Sequence, residues 1–119
     1  ESTEQSMNAM EEAVRESGFQ SMCIKNEHFE ERIIDKALGE IRESRFIIID
    51  LTGSRGSVFF EAGFAYGLQI ESIFVYKQNE EQKDSHLEFY VRHYQCYAYK
   101  DPADLQVMLT DIIRARIKK

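Results

Sequence analysis

"SRFIIIDLTGSRGSVFFEAGFAYGLQIESIFVY", residues 44–76, contains the order of elements that decides the fold. Phe46, Ile47, Ile48 and Ile49 run without a polar break into Asp50. An apolar, β-branched run of this kind predicts a strand over 45–50, buried on both faces of a parallel sheet. The loop "LTGSRGS" (51–57) follows, and then a helix is expected from about 58 to 68. "SIFVY" (72–76) reads as a second buried strand. Strand, helix and strand in this order imply a right-handed crossover and a parallel pairing.

The same alternation continues on both sides. Downstream, "KQNEEQKDS" is a polar loop, "HLEFYVRHY" (86–94) fits no single element, and "QCYAY" (95–99) reads as a strand. Asp101 as N-cap, with Pro102 at the first helical position, opens a last helix whose apolar stripe is Leu105, Met108, Leu109, Ile112 and Ile113. Upstream, residues 4–17 carry Met7, Met10, Ala13 and Val14 at helical spacing, and Gly18 is a natural stop. "FQSMCI" (19–24) is expected to be a short strand. A helix over roughly 29–43 presents Ile33, Ile34, Ala37, Leu38 and Ile41 on one face. The expected fold is a small doubly wound α/β domain with a parallel sheet, one domain spanning residues 1–119. Such domains usually open on a strand, and this chain opens on a helix. Of the two explanations, a sheet of only four strands or a chain shortened at its N-terminus and lacking its first strand, the second is preferred.

Composition narrows the function. The 119 residues are 43% hydrophobic and 30% charged, with one proline, which suits a globular chain and not a disordered one. A net charge of -6 and the lack of a basic stripe argue against binding a nucleic-acid polymer or an anionic membrane. No apolar run reaches the roughly 18 residues of a membrane span, and no signal peptide is visible, so a cytoplasmic location is expected. Cys23 and Cys96 are too few for a disulfide scaffold and read as reduced core residues.

Glu61 is the single charged residue among Val58, Phe59, Phe60, Ala62, Phe64, Ala65 and Tyr66. Such a helix is packed all round, and a carboxylate there needs a partner or a raised pKa. Two readings stay open. Glu61 can be a functional group, or an acidic residue favoured by the macrodipole of the first turn. A capping box is excluded, because Val58 stands where Ser or Thr would be required. Gly63 and Gly67, four apart, suggest close approach of a neighbouring backbone. Asp50 ends a strand at the edge where open α/β sheets bind ligands, yet it could equally close an Asx-type turn with Thr52 or Gly53. Together the two carboxylates could flank one pocket and serve chemistry at a glycosidic carbon.

The pattern D-L-T-x(8)-E-x-G, formed by Asp50, Leu51, Thr52, Glu61 and Gly63, resembles the core of the nucleoside 2-deoxyribosyltransferase-like superfamily. "ERIIDKALGEIRES" and "HLEFYVRHYQCYAYKDPADL" resemble a prokaryotic branch of it, so the likeness covers roughly residues 8–117. The resemblance implies a Rossmann-like, flavodoxin-type fold acting on N-glycosidic bonds. Glu61 would attack the anomeric carbon, and Asp50 would bind and orient the substrate. A second base or water would resolve the ester. A homodimer or higher homo-oligomer is also implied, since family members often complete the pocket from a neighbouring subunit. This chain's ending, "RARIKK", offers no matching group.

Weaker candidates remain. Gly53, Ser54, Arg55 and Gly56 could cradle a phosphate or be plain turn residues, and the spacing matches no standard phosphate loop. Thr52, Gly53, Arg55 and Gly56 form the expected substrate-binding set, and His86 joins it through the resemblance. His86, Glu88 and His93 have no standard metal spacing, so no metal is expected, and the glutamate chemistry requires no cofactor. Tyr90, Tyr94, Tyr97 and Tyr99 read as packing residues before a base-stacking platform. The leading expectation is an N-glycosidic-bond hydrolase or glycosyltransferase acting on a nucleoside, a nucleotide or NAD. The alternatives are a non-catalytic nucleotide-sensing module of a larger protein, and a scaffold that dimerises through the Gly63/Gly67 helix.

Overall fold

The computed structural model describes residues 2–21, 33–52, 56–78 and 92–118. The elements are α1 (Ser2–Glu16), α2 (Ile33–Arg42), β1 (Phe46–Asp50), α3 (Gly56–Gly67), β2 (Glu71–Lys77), β3 (Cys96–Tyr99) and α4 (Pro102–Arg116). The fold is α/β with a three-stranded parallel sheet in the order β1-β2-β3, an arrangement compatible with a Rossmann-like fold. Two compact units divide the chain, one of Ile24–Ala98 and one of Glu1–Cys23 with Tyr99–Lys119.

In the first unit, β1 and β2 pair in parallel from Phe46↔Glu71 to Asp50↔Val75. Ile73, Phe74 and Val75 are consecutive and buried, so β2 is covered on both faces, as its unbroken apolar run requires. Alternation puts Ile47 and Ile49 on one face, where they cluster with Leu51, Phe74 and Ala62 of α3. Leu51 is fully buried, and Tyr76 and Cys96 pack at the margin of the same cluster. This cluster is what holds α3 on β1 and β2. α2 packs in turn against α3, with Ile41 buried.

The second unit pairs α1 with α4. The α4 stripe is buried at Leu105, Leu109 and Ile113, as its 3.6-residue spacing requires. Asp101 caps α4 as the sequence demands, its Oδ1 accepting the N–H of Asp104 at 2.8 Å, with Pro102 next in line. α1 ends in a Schellman motif: Phe19 N–H donates to the Val14 carbonyl, Gly18 N–H donates to that of Arg15, and Gly18 adopts φ 92°.

Three local expectations are corrected. Phe19–Ser21 are not in a strand, because Phe19 closes the α1 stop; the remainder of that expected strand, 22–24, lies outside the described residues. α3 begins at Gly56, two residues earlier than its apolar run suggests. Among the described residues, no neighbouring backbone approaches Gly63 or Gly67, since a Cβ built at either would meet nothing within 4 Å.

Candidate functional site

The carboxyl edge of β1 and β2 holds Asp50 and Thr52, two of the residues that the sequence singles out. Asp50 is the last residue of β1, and its Oδ1 accepts the main-chain N–H of Thr52 at 2.9 Å. This is the Asx-type turn anticipated from the Asp-Leu-Thr order. Leu51 prolongs the ladder by one bond, its N–H donating to the Val75 carbonyl at 2.8 Å. Thr52 then accepts the Lys77 N–H on Oγ1 at 2.8 Å. The hydroxyl of Thr52 thus ties the end of β1 to the end of β2.

Glu61 is the sixth residue of α3, and no acidic residue lies in the first turn. The macrodipole account of Glu61 therefore falls, because that effect fades beyond one turn. The side chain is half-buried, and burial pushes its pKa above the ordinary 4.5. Among the described residues, no hydrogen bond or ion pair reaches its carboxylate. A desolvated carboxylate without a donor is an uncommon arrangement, since buried charges are normally paired.

Both carboxylates adjoin the same apolar cluster. Asp50 lies between Ile49 and Leu51, and Glu61 precedes Ala62; those three neighbours pack together. Strand alternation nevertheless assigns Asp50 to the sheet face opposite α3, in phase with Ile48. The two groups can meet only around the carboxyl edge of the sheet, and not as a pair on one face.

Of the other expected site residues, Gly56 is the first residue of α3. Gly53, Arg55 and His86 lie outside the described residues, as do Ser54, Glu88 and Tyr90. His93 is exposed, and no group of three His, Cys, Asp or Glu among the described residues is placed to hold a metal. Tyr99 is buried, with its hydroxyl 3.5 Å from that of Ser6, and Tyr94 rests on Phe74 at 5.6 Å between ring centroids. Both are packing residues. No helix among the described residues is long and apolar enough to cross a membrane.

The Thr52–Lys77 bond is the element that sequence reasoning misses. Its donor is a main-chain N–H, to which the identity of residue 77 contributes nothing. The one available signal was a β-branched hydroxyl residue two places after a strand-ending Asp. Compared with family models, curated proteins and solved structures, the chain matches none.

Proposed function

We propose that the protein is an N-glycosidic-bond hydrolase or glycosyltransferase acting on a nucleoside, a nucleotide or NAD, with Glu61 as nucleophile. The observation that supports this most is the half-buried Glu61 carboxyl, which has no donor or counter-ion among the described residues. A group of that kind costs stability, and functional sites are where such costs are retained. Above its raised pKa the carboxylate is ionised, weakly solvated and unengaged by the described residues, which favours attack on an electrophilic carbon. One Glu61 oxygen would bond to the anomeric carbon as the bond to the base nitrogen breaks, its electron pair leaving with the base. A second base, or water, would then attack the glycosyl ester and return the carboxylate.

The Asp-Leu-Thr…Glu-x-Gly spacing supports the same reading through its resemblance to deoxyribosyltransferases. In this proposal the sheet is a flavodoxin-type, doubly wound one. Asp50 orients the sugar, with Gly53, Arg55, Gly56 and His86 as the surrounding set and Thr52 supporting it from the end of β1. The enzyme works in the cytoplasm as a homodimer or higher homo-oligomer, without a cofactor. The acidic balance, -6 overall, favours a small-molecule partner over a nucleic-acid polymer.

The test is base release from a panel of nucleosides, nucleoside monophosphates and NAD, with intact-mass detection, for wild type, Glu61→Ala and Glu61→Gln. Release by wild type that both variants lose, with a sugar adduct on wild type alone, is the expected result. Binding without release would identify a sensing module instead. Neither binding nor release, with all three proteins folded, would overturn the proposal.

A further inference from the structure

In a parallel ladder, a residue that donates to one position on its neighbour accepts from the residue two places further on. Leu51 donates to Val75, so its carbonyl is where the Lys77 N–H would ordinarily go. The Lys77 N–H donates instead to Thr52 Oγ1 at 2.8 Å. A side chain has taken the place of the main chain at the rung where β1 leaves the sheet. Thr52 is already held from the other side, because its own N–H is taken by Asp50 Oδ1 at 2.9 Å.

These two bonds form a clamp. One fixes Thr52 to the end of β1 and the other fixes it to the end of β2. A β-branched side chain has few χ1 options, so holding Oγ1 also holds the Thr52 backbone. Only three residues separate Thr52 from Gly56, where α3 starts, and α3 carries Glu61. The clamp therefore sets the point from which the chain departs toward the helix bearing the Glu61 carboxylate.

We infer that Thr52 is a positioning residue of this site, acting through the Asp50–Thr52–Lys77 clamp and not by touching a ligand. The catalytic part of this inference rests on the glycosidic reading above, whereas the clamp itself does not. Its main-chain N–H and one acceptor site of its hydroxyl are already engaged within the protein. Serine can reproduce both bonds, whereas valine keeps the shape and loses the acceptor.

The experiment uses the full chain as wild type, Thr52→Ser and Thr52→Val, with Thr52→Ala as a second variant should valine impair folding. Residue-resolved amide exchange reads the clamp without any ligand. The Lys77 amide is expected to exchange at least roughly tenfold faster in Thr52→Val and at the wild-type rate in Thr52→Ser. Unchanged protection in Thr52→Val would overturn the clamp. On a nucleoside that wild type cleaves, Thr52→Val is expected to lower kcat roughly tenfold with KM within about twofold, and Thr52→Ser to restore it. A raised KM at unchanged kcat would make Thr52 a ligand contact and overturn the positioning role. Absence of cleavage by wild type counts against the glycosidic reading, and the exchange measurement then decides the clamp by itself.

Discussion

Asp50 holds the main-chain N–H of Thr52 on its Oδ1 at 2.9 Å, so the residue expected to orient a substrate also builds the turn that ends β1. The two roles separate by substitution. Asn keeps an acceptor in the same place but loses the charge, whereas Ala loses both. Asp50→Ala should destabilise the protein by about 1 kcal/mol, the usual net value of such a bond, and Asp50→Asn by less than about 0.5 kcal/mol. Denaturant unfolding measures both. If the charge orients a substrate, Asp50→Asn will lose most base release while remaining as stable as wild type. Equal loss of stability in the two variants would show that the turn does not depend on the acceptor.

Glu61 should make the protein less stable at neutral pH than an uncharged isostere does. Its folded pKa lies above the ordinary 4.5, because burial disfavours the ionised form. The contribution of Glu61 is therefore fully present below that ordinary value and is lost as pH rises through the raised folded pKa. Glu61→Gln should gain about 0.5 kcal/mol at pH 7, a small figure because water screens a half-buried group. The gain should shrink toward zero as pH falls below the ordinary carboxylate range. Any base release by wild type should run in the opposite sense and fall as pH drops through the raised pKa, because attack requires the carboxylate. Unfolding curves for both proteins across this pH range test the stability sign. A Glu61→Gln gain that persists unchanged at low pH would remove burial of the charge as its cause.

How much of this was legible depends on where the information lay. The Phe46–Ile49 and Ile73–Val75 runs carry their strands in side-chain chemistry alone, and β1 and β2 fall within a residue of expectation. Asp101-Pro102 carries the start of α4 in the same way. The start of α3 was less legible because Gly56 and Ser57 have the composition of a loop, and local propensity is a weak guide to where a helix begins. Glu61 was conspicuous for its solitude, but its position in the helix changed which explanation survives. The face assignment of Asp50 follows from strand parity once the register is known, and the register came from the pairing. Gly63 and Gly67 suggested a contact that the described residues do not make.

Cys96 should be slow to modify. It is half-buried beside the Ile49, Leu51 and Phe74 cluster, and burial pushes its pKa up to about 11. The thiolate is the reactive form, and at pH 8 a thiol of that pKa is ionised roughly a hundredfold less than a free cysteine. In a Cys23→Ser background, a disulfide-exchange reagent should therefore label Cys96 at about a hundredth of the rate seen after unfolding in urea. The folded-state rate should climb roughly tenfold per pH unit from pH 8 to 10. Labelling of the folded protein at the free-thiol rate would contradict the burial seen here.

Gln69 occupies the position at the end of α3 that Gly18 occupies at the end of α1. Both helices close with the same pair of bonds: Ile70 N–H donates to the Ala65 carbonyl and Gln69 N–H to that of Tyr66, matching Phe19 to Val14 and Gly18 to Arg15. Both closing residues are left-handed, Gly18 at φ 92° and Gln69 at φ 61°. Glycine adopts that region without a Cβ clash, whereas glutamine there is strained by roughly 1 kcal/mol. Part of the gain from replacing it is offset, because glycine has more freedom to lose on folding. Gln69→Gly should therefore stabilise the protein by about 0.5 kcal/mol, and the exposed side chain forfeits little packing. Gln69→Val, whose branched Cβ suits left-handed backbone least, should cost about 1 kcal/mol or more. Denaturant unfolding of the two variants beside wild type gives both numbers. A loss of stability in Gln69→Gly would mean that the glutamine side chain contributes an interaction exceeding its backbone strain.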